Sequence, residues 1–248
     1  MEVHAHTHTA RKKWTHYLWE FLMLFLAVFC GFLAENQREH MVEHQREKQY
    51  MASLLSDLAA DTAALSYGIP LKLKRISAID SVFIFFNEHP AAKTISGQLF
   101  RTIRRTNFDA RFIRNVITIN QLKNAGGMRL VRDKQIADSI SSYDQRCEVT
   151  ILYNDFYVAN SLIGNRQFEK LFNAADLLPL YIANKTGAIV SNIPDSLIIR
   201  INTSELNEQL NFMMQEKAYA RQEIDRYNEI KERAIRLMEL IKKEYHLK

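Results

Sequence analysis

The sequence predicts an all-α chain: a single N-terminal transmembrane helix continuing into a helical stalk, then an extracytoplasmic antiparallel helical bundle with a long C-terminal coiled-coil-like helix. Three observations carry this. Residues 14–34, WTHYLWEFLMLFLAVFCGFLA, have Glu20 as their only carboxylate and no Lys or Arg. As a helix they extend about 31 Å, the thickness of a bilayer's hydrocarbon core. Gly and Pro are scarce, seven and four in 248 residues, fewer than the turns of an all-β fold need. Finally, apolar residues recur in alternate steps of four and three from Leu206 to Tyr245.

The apolar stretch is expected to be an uncleaved anchor. Arg11, Lys12 and Lys13 abut it, and Trp14, Tyr17 and Trp19 lie where aromatic rings sit at a headgroup boundary. A cleaved signal peptide would share the basic start and apolar middle. Its best cleavage site, Phe32-Leu33-Ala34, puts Phe where a small residue is wanted, and bulky Phe29 precedes the cysteine a lipoprotein would use, Cys30. Three cations lie before the span and three soon after it (Arg38, Arg46, Lys48), but the first three are contiguous and long domains translocate largely regardless of charge. Residues 1–13 are therefore expected to be a cytoplasmic tail, with the remainder outside. His4, His6 and His8 alternate in that tail; they read as a solvated segment, and weak binding of Zn, Ni or Cu is the other reading.

Within the span, Glu20, Ala27, Gly31 and Ala34 share one helix face. Small residues let two helices approach closely, and such a contact would shield the carboxylate from lipid, so this face is the candidate membrane helix–helix interface. The alternative is that Glu20 reaches the headgroups or pairs with His16 one turn back.

Residues 35–50 read as the stalk, rich in helix formers and polar almost all round. They contain His40-Met41-Val42-Glu43-His44, the H-x-x-E-H pattern in which two histidines hold zinc and a glutamate activates water. A zinc site also needs a third ligand and a walled cleft, which this stretch has no apolar face to build. No metal site or other cofactor is expected.

Residues 51–248 form the predicted helical domain. Met51, Leu54, Leu58 and Leu65 recur at helical spacing, and Gly68 and Pro70 are expected to break or kink that helix. Leu71–Glu88 is a second helical stretch, stopped by Pro90, and Ile95–Arg105 a short helix whose Arg101, Arg104 and Arg105 form a solvated face. Thr118-Ile119-Asn120-Gln121 matches a capping box opening a helix that runs to Ala125 and ends at Gly126-Gly127. A long helix is expected from Arg132 to Ile163, ended by Gly164-Asn165, and a short one from Gln167 to Leu178 before Pro179. Residues 179–202, with Gly187, Pro194 and the β-branched run 197–201, are expected to be loops and short helical turns. Asn202, Thr203 and Ser204 supply cap candidates for the last helix, Glu205–Tyr245. Its predicted seam is Leu206, Leu210, Met213, Lys217, Ala220, Ile224, Tyr227, Lys231, Ala234, Met238, Ile241 and Tyr245, about 60 Å long.

A net charge of +5, spread along the chain and unaccompanied by any nucleic-acid motif, does not mark a DNA or RNA surface. Cys30 and Cys147 lie too far apart in the predicted architecture to bridge. Cys147 continues the apolar spacing of Ile136, Ile140 and Tyr143 and reads as a small core residue.

Taken together, the basic tail, the span WEFLMLFLAVFCGFLAEN, the REKQYM stalk and the run LKNAGGMRLVRDK (122–134) make the chain resemble a domain-of-unknown-function family of bacterial single-span membrane proteins. The resemblance implies an inner-membrane protein with its helical domain in the periplasm, and no activity. The leading expectation is a non-enzymatic module that binds a partner membrane protein or a second copy of itself. A sensory or small-ligand-binding helical bundle is the alternative, with Arg129, Arg132, Phe156 and Tyr157 as candidate pocket residues. A zinc hydrolase through His40, Glu43 and His44 is the third reading.

Overall fold

The computed structural model describes residues 14–107, 109–124, 126–183 and 193–247, leaving the expectations for the tail 1–13, for Ala125 as a helix end and for Gly187 outside the described residues. The chain is mostly helical and divides into two compact units, Met1–Tyr50 and Met51–Lys248. In order, the elements are α1 (Trp14–Glu88), β1 (Thr94–Ser96), α2 (Gly97–Thr106), α3 (Ile117–Asn124), a 3₁₀ turn (Gly127–Leu130), α4 (Lys134–Leu171), α5 (Ala174–Ala183), β2 (Ile198–Arg200) and α6 (Thr203–Tyr245).

In the first unit, the described part of α1 includes the apolar stretch, exposed throughout and long and apolar enough to cross a membrane. Phe21, Phe25 and Phe29 stack along it one turn apart.

In the second unit, α1 shows that Gly68 and Pro70 neither break the helix nor end it. Pro70 lacks the N–H that would meet the Ser66 carbonyl. Both residues are exposed, so water can take that carbonyl. Buried residues also recur at steps of three and four straight through this point: Met51, Leu54, Leu58, Asp61, Leu65, Gly68, Lys72, Arg75, Ile79, Val82, Phe86. Packing along one unbroken stripe overrides the local break signal. The helix stops at Glu88, ahead of Pro90, as predicted.

Helix α4 overturns the expected stop at Gly164-Asn165 by running on to Leu171. A β-carbon at 164 would collide with the Phe212 ring, so this glycine serves close approach of α4 to α6. Asp133 caps the start, accepting from the Ile136 N–H at 2.9 Å. The predicted Gln167–Leu178 helix is divided differently: its first turn belongs to α4, and α5 starts afresh at Ala174, with Asn173 accepting from the Ala175 N–H. Helix α5 passes Pro179, where the carbonyl left without a donor belongs to exposed Ala175.

The start of α3 also differs from the capping box. Thr118 lies inside the helix and is buried; its N–H is taken by Asp57 of α1 (3.0 Å), that of Asn115 by Asp61 (2.8 Å), and that of Ile117 by Asn115 (3.2 Å). Gly126, at φ 67°, makes the left-handed turn after α3 that favours glycine.

Two short strands depart from a purely helical chain. β1 pairs antiparallel with β2 in the register Thr94↔Arg200, Ile95↔Ile199, Ser96↔Ile198. The expected Ile95 helix start is therefore a strand, and α2 begins two residues later behind its cap Ser96. The β-branched run 197–201 supplies β2 in place of loops. Ile95, Ile199, Phe100 and Ile103 join Ile79, Val82, Phe86, Leu171, Leu206 and Met213 in one apolar core.

The direction of the long helices follows from their pairings. Ser142 meets Arg233, Tyr157 meets Gln222, and Gly164 faces Phe212, so α4 and α6 run antiparallel. Lys72 meets Glu223 and Arg75 meets Glu216, so α1 is antiparallel to α6 as well.

Candidate functional site

The α6 seam is where sequence and structure part most instructively. Asn202 caps the helix, and Leu206, Met213, Ala220, Tyr227, Ala234, Ile241 and Tyr245 are buried as predicted. The alternate positions fall one residue earlier than predicted: Gln209, Glu216, Glu223, Ile230 and Leu237 are buried in place of Leu210, Lys217, Ile224, Lys231 and Met238. Steps of three then four bring three polar residues into the interior, which a search for apolar spacing rejects.

Two of the three are answered from α1. Lys72 Nζ donates to Glu223 (2.8 Å) and to Asp109 (2.5 Å), and Arg75 donates to Glu216 and to the Thr106 carbonyl (2.6 Å). Burial pulls the Lys72 ammonium down, but Glu223 and Asp109 prevail and hold it above its ordinary value. Burial pushes the Glu216 carboxyl up against the opposing pull of Arg75. Tyr227 closes the layer: its hydroxyl accepts from the Phe112 N–H (3.0 Å) and donates to the Asn154 amide oxygen (3.2 Å), whose nitrogen reaches Glu223 (3.1 Å).

Gln209 has no such answer. It is 1 % exposed, and neither amide atom has a hydrogen-bond partner among the described residues. An unpaired buried amide costs about 1–3 kcal/mol. Gln209→Leu is therefore expected to raise stability by about 2 kcal/mol, read as a higher thermal midpoint; an unchanged or lower midpoint contradicts this.

A second polar cluster joins α1, α3 and α4. Tyr143 donates to Asp61 (2.5 Å), and Asp144 takes Arg114 (2.5 Å) and Lys123 (2.9 Å). Burial raises Asp61 above the usual carboxylate range, whereas for Asp144 the two cations overcome burial and lower it. Cys147 is fully buried as predicted, its thiol pushed up to about 11 by burial; Cys30 is exposed, and both are free.

These clusters hold α4 with one face inward, through Ile136, Ile140, Tyr143, Cys147, Thr150, Asn154 and Tyr157. The opposite face would be polar in an ordinary surface helix. Here it presents Leu152 (71 % exposed), Phe156 (54 %), Ala159 and Ile163 (56 %) at spacings of four, three and four, with Leu162 beside them. The stripe is about 17 Å long by helical rise. Tyr157 stacks on Tyr219 with centroids 4.5 Å apart, and the Arg226 guanidinium lies over the Tyr153 ring at 3.9 Å, so the helix beneath the stripe is firmly held. Sequence reasoning missed it because it followed the positions that α4 buries; the four-three-four spacing of Leu152, Phe156, Ala159 and Ile163 is the legible sign of a second covered face.

The predicted sites fare differently. Glu20, Ala27, Gly31 and Ala34 are all exposed, and a β-carbon on Gly31 would meet nothing within 4 Å. Glu20 stands 3.3 Å from His16, the pairing weighed against the interface reading. His40 faces Glu43 at 3.9 Å, and His44 turns to Glu47 at 3.2 Å. Among the described residues, no group of three His, Cys, Asp or Glu side chains is placed to hold a metal ion. Arg129 and Arg132 precede α4, whereas Phe156 and Tyr157 lie about 33 Å along it by helical rise. These four do not line one pocket. A cleft of about 630 Å³ between α4 and α6 has Arg233 bound to Glu229 and Ser142, and Arg236 beside Glu232. No family model, curated protein or solved structure matches the chain.

Proposed function

We propose that the chain is a non-enzymatic, single-span membrane protein whose helical domain binds another protein or a second copy of itself. The anchor is residues 14–34 in a bacterial inner membrane, with the tail 1–13 cytoplasmic and the bundle 51–248 periplasmic, as the resemblance of anchor and stalk implies. The observation that carries the reading is the stripe Leu152, Phe156, Ala159, Ile163. Contiguous exposed apolar surface of this kind marks an interaction site on a soluble domain, and a heptad-like stripe is what a partner helix packs into. The small-residue face at Ala27, Gly31 and Ala34 supplies a second contact inside the bilayer.

The test is crosslinking and affinity purification of the full chain from native membranes, with Leu152→Ser/Phe156→Ser beside the unmutated protein. Leu152 is exposed, but the half-exposed Phe156 ring meets Tyr157 and Tyr219 edge-on at 5.8 and 6.0 Å, so the double variant is expected to lose about 1–2 kcal/mol and to stay folded, checked by its far-UV circular dichroism. It should lose the crosslinked species that the parent forms. A parent chain that stays monomeric and recovers no partner, or a variant that keeps the same crosslinks, sinks the proposal.

A further inference from the structure

At the C-terminal end of α4, three phenylalanines from two segments meet. Phe100 of α2 lies 4.8 Å from Phe172 and 6.2 Å from Phe168, and those two are 4.8 Å apart. They wall one side of a pocket of about 330 Å³, completed by Leu177 and Leu178 of α5. That volume falls at the small end of the range, about 300 to 1,000 Å³, in which ligand sites occur. Two charged residues border it: half-buried Arg104 of α2 and exposed Glu169 of α4.

Arg104 is the informative one. One turn earlier on the same helix, Arg101 is fully engaged, donating to the Ile193 carbonyl and to Asp195. The Arg104 guanidinium makes no ion pair or hydrogen bond among the described residues, yet it lies half-buried against an aromatic wall. A guanidinium presents a planar fork of donors that fits a carboxylate with two parallel hydrogen bonds. Phenylalanine edges and faces favour an aryl ring or a short alkyl chain. Glu169 on the rim selects further: one ligand charge can sit on Arg104, whereas the extra charge of a dianion would be repelled by the Glu169 carboxylate.

We propose that this pocket binds a small monocarboxylate with an aryl or alkyl body, the body against Phe100, Phe168, Phe172 and Leu177 and the carboxylate on Arg104. The site is separate from the α4 stripe, and its occupancy does not depend on the protein-binding reading. It is tested by calorimetric titration of 4-phenylbutyrate into the full chain in lipid nanodiscs, with empty discs subtracted. Saturable one-to-one binding is expected, at least tenfold weaker in Arg104→Gln and at least tenfold weaker for 4-phenylbutanol or 4-phenylbutyl phosphate on the unmutated chain. Leu177→Trp, which fills the pocket, should abolish it while far-UV circular dichroism stays unchanged. Heats no different from those of empty discs overturn the proposal. So does binding that Arg104→Gln leaves intact, or an affinity for the alcohol or the phosphate equal to that for the carboxylate.

Discussion

Replacing Lys72 by Ala is expected to destabilise the domain by about 3–5 kcal/mol, because it leaves buried carboxylates without their cation. Glu223 is almost wholly inaccessible and Asp109 half-buried; both take the Lys72 ammonium. The paired substitution Lys72→Met/Glu223→Leu removes charge from both sides and leaves Asp109 facing Arg75 at 3.7 Å. It should recover most of the loss, since a well-packed apolar pair is often as stable as a buried ion pair. Denaturant unfolding of the full chain in detergent, followed by far-UV circular dichroism, measures both. A single substitution costing under about 1 kcal/mol would put the pair in the class of exposed ion pairs.

The pH dependence follows from the same group. Lys72 is held above its ordinary value of 10.5, so the folded chain keeps that proton more tightly than the unfolded one. Its contribution is therefore complete below about pH 10.5 and is lost as pH rises through the higher folded value. Lys72→Ala should lack this part of the alkaline loss.

Gly97→Ala is the second large effect, expected to cost about 3 kcal/mol even though Ala ordinarily gains about 1 kcal/mol over Gly inside a helix. A β-carbon there would overlap the Pro194 carbonyl oxygen and press on Ile193. The obstacle is backbone, so relief requires moving the segment that leads into β2. Gly164 makes the useful contrast. Its obstacle is the far end of the Phe212 side chain, which can swing, so Gly164→Ala should cost clearly less. Thermal unfolding of the two variants side by side checks the order; equal midpoints would contradict it.

Most helices were legible in the sequence because apolar spacing is a direct consequence of burial. Pro90 marked the end of α1, Gly126 the turn after α3, and Asn202 the cap of α6. The misses share a cause: tertiary contacts reversed a local signal. Pro70 lies on the exposed side of a stripe buried on both sides of it. Gly164 reads as a helix stop and is a point of close approach. The β-branched run near Ile199 became a strand only because Ile95, far away in sequence, supplies its partner. The ionic layer escaped because a charged residue at a core position looks like an error until its counter-ion on another helix is known. Lys72 and Arg75 three apart, with Glu216 and Glu223 seven apart, are the signal that such a layer leaves. The candidate contact face on α4 was readable in principle, since Leu152, Phe156 and Ile163 lie opposite the residues that α4 buries.

A heptad pattern of apolar side chains has a weakness: sliding one helix past another by seven residues returns a nearly equivalent set of contacts. The two ion pairs remove that degeneracy. Slid one way, Lys72 would face Glu216 but Arg75 would face Gln209; slid the other way, Arg75 would face Glu223 but Lys72 would face Ile230. Either misalignment strands one cation in the interior, so the polar layer works as a two-tooth key that admits a single registry between α1 and α6.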